Sequence, residues 1–466
     1  MTGADVTEPD VTESDAAPRQ QGPSQTYLDD RAHVFHSWSA QAQITPMVVA
    51  GGEGSWFWDE TGKRYLDFSS QLMNLNLGHQ HPGLVAAIQA QAATLATIAP
   101  GSAAEARSEA ARLIAERTPG DLNKIFFTNG GAEATENATR MARVHTGRHK
   151  VLSMYRSYHG ATGGSIALTG DPRRWASEPD VVPGVVKFFG PYPYRSSFWS
   201  ESAEQECERA LEHLAEVIMF EGGHNIAAII LEPVVGTNGI LVPPDGYLAG
   251  VRELCDRHGI VMIADEVMAG FGRCGEWFSV DAWDVVPDLI TFAKGVNSGY
   301  VPLGGVAINS AIAESFDNRA YPGGLTYSGH VLACASAVAS IGIFEDEDIL
   351  GRARRMGTEI LAPGLAKLKD RHPSVGDVRG IGCFWAIELV KNRDSREMFV
   401  PFNARGAEAA PMAELVAACK AAGLSPFAHF NRIHVAPPLN ISDDDARLGL
   451  SILDEVLELA DRYVAG

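Results

Sequence analysis

A lysine closing one apolar run and an aspartate closing another are the residues of this sequence with the most chemistry to offer. Asp265-Glu-Val267 follows Ile260-Val-Met-Ile-Ala264, and Lys294-Gly295 follows Asp288-Leu-Ile-Thr-Phe-Ala293. Burial disfavours a charged amine, so a lysine at the end of a buried strand is uncommon and is pushed toward its neutral form. Such an amine is suited to condensing with an aldehyde to an imine. A carboxylate at the carboxyl end of a parallel strand stands where open α/β sheets bind ligands. Aimed at a pyridine nitrogen, it keeps that ring protonated and able to draw electrons. Taken singly, Asp265 is as well explained as a helix N-cap or loop carboxylate. With Lys294 it makes a functional couple.

Two further segments suit the same ligand. Thr128-Asn-Gly-Gly-Ala-Glu-Ala-Thr-Glu136 is a glycine-bearing turn between a strand and a helix. Its backbone N–H groups and the helix dipole favour an anion. The turn carries no lysine and does not match the P-loop pattern, and by itself a Gly-Gly turn before a helix is more often structural. Tyr155-Arg-Ser-Tyr-His-Gly160 follows the next strand, and Tyr158 there either stacks on a flat ring or packs into the core. A phosphate turn, a stacking aromatic, a carboxylate and a lysine together describe a site for pyridoxal 5'-phosphate.

Bringing these pieces together calls for an α/β fold. Strands are expected at Lys124–Thr128, Lys150–Tyr155, Ile226–Leu231, Ile260–Ala264 and Asp288–Ala293. Helices separate them, one from about Ala132 to His145 and one over Tyr247–His258 that Gly259 stops. Continuous apolar strands alternating with helices imply a mostly parallel sheet covered on both faces. Ahead of it, Gly54–Gly62 and Lys63–Phe68 read as a hairpin turning at Gly62. Past Tyr327 a long helical stretch leads to strands at Cys383–Val390 and Arg432–Ala436. A last helix over Asp443–Tyr463 starts on Ser442. The expected domains are a disordered acidic tail over 1–25 and a segment over 26–70 joining the small domain. A large cofactor-binding domain over 71–327 and a C-terminal small α+β domain over 328–466 complete the chain.

Composition narrows the partners. Lys and Arg number 38 against 58 Asp and Glu, a net charge of −20, which argues against nucleic acid or an anionic membrane surface. The six cysteines are scattered without a C-x-x-C pair, unlike a zinc site or disulfide framework. No apolar run approaches the ~20 residues that span a bilayer, and the polar N-terminus lacks a signal pattern. A cytoplasmic enzyme with no metal is expected.

From about Ala32 to its C-terminus the chain resembles a class III (ω-type) aminotransferase of PLP fold type I, whose large domain has a mostly parallel, mixed, seven-stranded type of sheet. The resemblance is carried in order by Asn129–Glu136, Tyr158-His-Gly160, Leu231-Glu-Pro233, Ala264-Asp-Glu-Val267, Gly270-Phe-Gly-Arg273, Ala293-Lys-Gly295, Gly299–Gly305 and Thr326-Tyr-Ser-Gly-His330. It implies that Lys294 forms the imine with the cofactor and shuttles the proton, while Asp265 pairs with the pyridine nitrogen. Val267 packs on the ring face opposite Tyr158, Gly131 and Ala132 offer amides to the phosphate, and His159 belongs to the cofactor-binding set. Glu232 lies near the cofactor's hydroxyl side. Thr326 reaches the phosphate of the neighbouring subunit's cofactor, which implies a homodimer with shared sites and leaves tetramers open.

The reaction so implied moves an amino group from a primary amine or ω-amino acid to a keto acid in two ping-pong half-reactions. Trp38, Met73, Tyr158, Thr237 and Phe427 line the substrate pocket by the same resemblance, and the apolar pair Trp38 and Met73 favours a donor side chain without a carboxylate. Many relatives use a mobile arginine near Ser425–Phe430, where this sequence aligns Phe427. A phenyl ring cannot supply the bidentate fork, and Arg432 just beyond starts a strand. Pyruvate is therefore favoured over 2-oxoglutarate as acceptor. The alternatives are another PLP reaction (aminomutase, racemase or decarboxylase) and a taurine- or 4-aminobutyrate-type transaminase using 2-oxoglutarate. A non-enzymatic PLP-binding protein is disfavoured by the presence of both Lys294 and Asp265.

Overall fold

Ile226–Leu231 is apolar at every position, so neither of its faces tolerates water, and all of its residues are buried. The computed structural model of the protein describes residues 22–180 and 182–464. The tail expected over 1–25 therefore lies almost wholly outside the described residues. The chain divides into an N-terminal unit, running to Gly51 and including Trp58–Lys63, and a main unit of Gly52–Phe57 and everything from Arg64 on.

In the N-terminal unit the helix Gln25–His33 starts on Ser24, whose hydroxyl accepts from the Tyr27 N–H at 3.3 Å. The loop after it is held by Gln41, whose amide donates to the carbonyls of His36 and Ser39, both at 2.8 Å. Trp38 sits in this loop at φ 56° and is 67 % exposed.

In the main unit, seven strands build the central sheet: β1 (Lys124–Thr128), β2 (Lys150–Met154), β3 (Val185–Phe188), β4 (Ile226–Leu231), β5 (Val261–Asp265), β6 (Leu289–Phe292) and β7 (Gly304–Ile308). Their order across the sheet is β3-β2-β4-β5-β6-β7-β1. Only β7 runs against its neighbours, β6 and β1; the other pairs are parallel. β1 consequently points the same way as β6. Alternate residues feed two cores: Leu152, Ile229 and Met262 face one, and Val151, Ile230 and Ile263 the other. The connecting helices fall where the apolar pattern requires them. Gly131–Thr146 follows β1 and Tyr247–His258 precedes β5. The second ends at Gly259, φ 59°, a conformation that costs a residue without Cβ nothing.

A second, antiparallel sheet follows the long helix Val331–Asp346. It contains β8 (Val375–Ile381), β9 (Phe384–Asn392), β10 (Phe427–His429) and β11 (Arg432–Val435) in the order β8-β9-β11-β10, with Glu397–Met398 pairing β9. The last helix, Asp443–Asp461, is capped by Ser442, whose hydroxyl accepts from the Asp445 N–H at 3.1 Å. The strand Arg64–Asp67 pairs in parallel with Leu424–Ser425, tying the start of the main unit to its end.

Arg273 fastens these segments from inside. It is fully buried and makes no ion pair among the described residues, and burial pushes its guanidinium down to about 10. It donates to the carbonyls of Cys383 (3.2 Å) and Pro437 (2.6 Å), to Ser70 Oγ (3.1 Å) and to Asn76 Oδ1 (2.7 Å). Removing the donor strands acceptors that water cannot reach, at ~1–3 kcal/mol for each one left unpaired. Arg273→Leu is expected to lower the unfolding free energy by about 3 kcal/mol, as read from the shift in urea midpoint at unchanged slope.

Candidate active site

Five strands of the central sheet point their carboxyl ends to one edge, and each end leads into a candidate residue. β1 leads to Gly131, β2 to Tyr158 and His159, β4 to Glu232, β5 ends on Asp265, and β6 leads to Lys294. This edge is the crevice where doubly wound sheets bind ligands.

Asp265 is 3 % exposed. Its Oδ2 lies 2.6 Å from His159 Nδ1. Its Oδ1 accepts from the Val267 N–H and the Thr291 hydroxyl, both at 3.1 Å. A carboxylate only accepts, so His159 Nδ1 carries the proton toward it. His159 Nε2 is buried without a partner among the described residues. On the neighbouring strand end, Glu232 accepts from the N–H of Tyr158 at 2.9 Å and of Gly236 at 2.8 Å. Burial pushes the Glu232 carboxyl up to about 7; His159 opposes the rise and Asp265 adds to it.

Lys294 stands directly after β6 at φ 41°, a left-handed backbone that a lysine seldom adopts. Burial lowers its amine below the ordinary lysine value. The carboxylates of Asp265 and Glu232 pull it back up, and the Arg173 cation adds to the lowering. Among the described residues its amine has no hydrogen-bond or ion-pair partner. A half-buried, unpaired amine whose charge two carboxylates support is poised to bond to an aldehyde.

The turn before the helix Gly131–Thr146 is braced by Glu133, whose Oε2 accepts from the Asn129 N–H at 2.8 Å and its side-chain amide at 3.0 Å. The N–H groups of Gly131 and Ala132 lie in the first helical turn and have no intrahelical acceptor. A Cβ on Gly131 would stand 2.7 Å from Val267 Cγ1, so glycine lets the turn come up against Val267. Thr135 donates to the His159 carbonyl at 2.8 Å and locks this helix to the loop that carries Tyr158. The unpaired amine, the open N–H groups and the buried acid fit an aldehyde, a phosphate and a ring nitrogen respectively.

Of the expected substrate-pocket residues, Met73 and Phe427 share one apolar cluster with Val234 and Ile240. Thr237 is buried in the loop that follows Glu232. Phe427 lies on β10 opposite His434, ring to ring at 5.1 Å. Trp38 belongs to the N-terminal unit. Thr326 is exposed in a loop that Ser328 ties to the Phe127 carbonyl at 2.8 Å. Arg432 does not stand free: it is buried, with Nε 3.3 Å from Glu388 Oε2. Arg195 and Arg379 share that acid.

Sequence reasoning missed two residues. Thr291 is a polar residue inside the apolar run of β6, a readable signal for a buried partner. Arg173 had none. Its guanidinium lies 3.7 Å from the centre of the Tyr158 ring. Its Nε is 3.0 Å from Asp171 Oδ2, and that oxygen also accepts from Asn238 at 3.1 Å. The cation thus lies over the tyrosine face, and its charge adds to the lowering of the Lys294 amine.

The Aminotransferase class-III family model matches residues 38–457. The chain belongs to the class III aminotransferases. It is 36% identical over 428 residues to the 5-aminovalerate aminotransferase DavT of Pseudomonas aeruginosa, covering 89% of this chain and 94% of that one. Among solved structures it is similar to the taurine:2-oxoglutarate aminotransferase of Bifidobacterium kashiwanohense, in complex with PLP and glutamate, at TM-score 0.91 and 40% identity over 94% of this chain and 98% of that one. It is also similar to an (S)-enantioselective omega-transaminase from Thermomicrobium roseum, at TM-score 0.88 and 35% identity over 95% and 100% of the two chains. The class III aminotransferase is thus a PLP-dependent transferase of fold type I. Gly131→Ala, whose added methyl would meet Val267, is expected to raise the dissociation constant for pyridoxal phosphate about tenfold or more, as read by equilibrium dialysis.

Proposed function

We propose that this aminotransferase takes its amino group from a primary amine or ω-amino acid and passes it to a keto acid, with Lys294 as the cofactor lysine. The observation that carries the reading is the unpaired, desolvated Lys294 amine flanked by Asp265 and Glu232. When bound, pyridoxal phosphate supplies the aldehyde that receives the amino group and the ring that takes up the electron pair released at the amine-bearing carbon. Asp265, fixed by His159, Thr291 and the Val267 N–H, holds a proton on the ring nitrogen. Gly131 and Ala132 would hold the phosphate, Val267 and Tyr158 would hold the ring, and Glu232 would serve the hydroxyl side. Lys294 Nζ, whose charge burial disfavours, would in its neutral form accept the proton from the amine-bearing carbon and later return one. In the second half-reaction a keto acid takes the amino group, and the same groups act in reverse order.

Met73, Thr237 and Phe427 line the substrate side in this reading. Phe427 offers a keto acid no guanidinium, which favours pyruvate. Arg173 favours a second reading, a donor or acceptor with a second acidic end, as in a taurine-type enzyme that uses 2-oxoglutarate. Its cation faces Tyr158 and is felt at Lys294. The structurally similar Bifidobacterium enzyme is named for taurine and 2-oxoglutarate. Thr326, exposed in the single chain, suits a homodimer in which it meets the neighbouring subunit's phosphate. A cytoplasmic location agrees with six unpaired cysteines, and among the described residues no helix is long and apolar enough to cross a membrane.

Rapid-mixing spectra test both readings. The parent protein should show a cofactor absorption band that an amine donor bleaches and a keto acid restores, and Lys294→Ala should lack it. Restoration faster with pyruvate than with 2-oxoglutarate supports the first acceptor. If 2-oxoglutarate is faster, and Arg173→Leu slows it about tenfold or more while sparing pyruvate, the second holds. A band that bleaches but that no keto acid restores refutes amino transfer.

A further inference from the structure

A cavity of about 350 Å³ opens on the far wall of Asp171, and neither Lys294, Asp265 nor Glu232 lines it. Its walls are largely aromatic, with Tyr155, Trp175, Phe189, Tyr192, Phe402 and Phe430 all contributing. Four arginines also line it, and three are committed elsewhere. Arg174 donates to Glu178 at 2.8 Å and to the Gly170 carbonyl at 3.0 Å. Arg195 pairs with Glu388 and donates to the Arg396 carbonyl at 2.7 Å. Arg432 is 3.3 Å from the same glutamate.

Arg156 is different. Its guanidinium carbon lies 5.7 Å from the centre of the Phe189 ring and 5.2 Å from that of Tyr192. Among the described residues no carboxylate or carbonyl accepts from its side chain. Burial lowers this arginine from its ordinary value, Tyr192 and Arg432 acting in opposite senses on top. Of the acids near the cavity, Asp171 is shared by Arg173 and Asn238 and Glu388 by three arginines, while the buried Glu206 accepts from the Tyr192 N–H at 2.7 Å and acts on Arg156 through its charge without a hydrogen bond to it. In a protein of net charge −20, a half-buried and unpaired guanidinium at the back of an aromatic hollow is the group most ready for an anion.

We propose that this cavity is a second binding site, separate from the cofactor site, for an aryl carboxylate. Arg156 takes the carboxylate in its fork, and the ring lies among Trp175, Phe402 and Phe430. The volume falls at the small end of the range for ligand cavities, ~300–1,000 Å³, so one ring with a short acidic arm fills it. Phosphate esters are matched less well, because walls this apolar leave their further oxygens unpaired. The rings of Phe402 and Phe430 are 4.7 Å apart, and Phe402 is 55 % exposed, so this pair forms the rim over which a flat ligand slides in.

Phenylacetate titrated into the holoenzyme without amine donor tests the proposal, followed by calorimetry and tryptophan fluorescence. Saturable binding at one site per chain is expected. Arg156→Gln should weaken it about tenfold or more, the loss of one charge-assisted contact, and Phe402→Ala should weaken it less. Neither variant should alter the cofactor band or the rate at which a small donor bleaches it. Phe402 is on the rim, so its variant reports even if Arg156→Gln does not fold. Cyclohexylacetate, of equal charge but without aromatic faces, should bind more weakly. The proposal is overturned by no saturable binding, by equal affinity in both variants, by equal affinity of the two acids, or by competition between phenylacetate and the amine donor.

Discussion

Asp265 is a carboxylate held out of water, and such a group is tolerated only where hydrogen bonds replace its lost hydration. Its three donors come from three elements: its own turn through Val267, the adjacent strand through Thr291, and the loop after β2 through His159. Meeting that demand fixes β5 beside β6 and brings the β2 loop over the strand ends. Once those positions are set, Glu232 and Lys294 follow, because they leave the two strands that flank β5. The three charges then share one poorly hydrated space, in which burial moves Glu232 and Lys294 toward their neutral forms.

A different solution holds the second sheet. Glu388 is also buried, and burial would raise it, but Arg379, Arg432 and Arg195 keep it well below the usual carboxylate range. Those cations are spent on structure, Arg432 among them. Arg173 is tied to Asp171 and yet keeps one face on Tyr158, so its charge still reaches the cofactor edge of the sheet. Arginines of one composition thus divide into structural cations and cations available to a ligand, and only their partners tell them apart.

The strand-end residues were legible in the sequence because each follows an apolar run that has one physical explanation, a strand buried on both faces. Lys294 and Asp265 stood out as polar residues where such runs stop, Glu232 entered only through the family resemblance, and the glycine turn ahead of the helix stood out by composition. Helix ends at Gly259 and Ser442 were legible from capping chemistry. Arg173 was not, since its importance depends on a loop folding back over Tyr158, and no periodicity encodes that. Arg273 was visible in a motif without its reason, because its four acceptors come from segments 70–76, 383 and 437, far apart in the chain. Trp38 and Thr326 belong to the same class of difficulty: the first lies in the N-terminal unit, and the second is exposed in the single chain.

The single reversed strand, β7, has a consequence for how the protein comes into being. β1 is the first strand of the sheet to be synthesised, and it borders no strand but β7, the last. The helix that opens at Gly131 thus hangs from a strand whose one hydrogen-bonded neighbour among the described residues emerges some 184 positions later, Ile308 standing opposite Lys124. Closing so long a loop is entropically costly and slow, and it leaves β1 with an unpaired edge until the end. The phosphate turn therefore joins the lysine and the two acids in a single late event on the ribosome or after it. A fragment that ends before β7 leaves β1 without that partner, and the glycine turn it carries then lacks its place beside the lysine and the two acids.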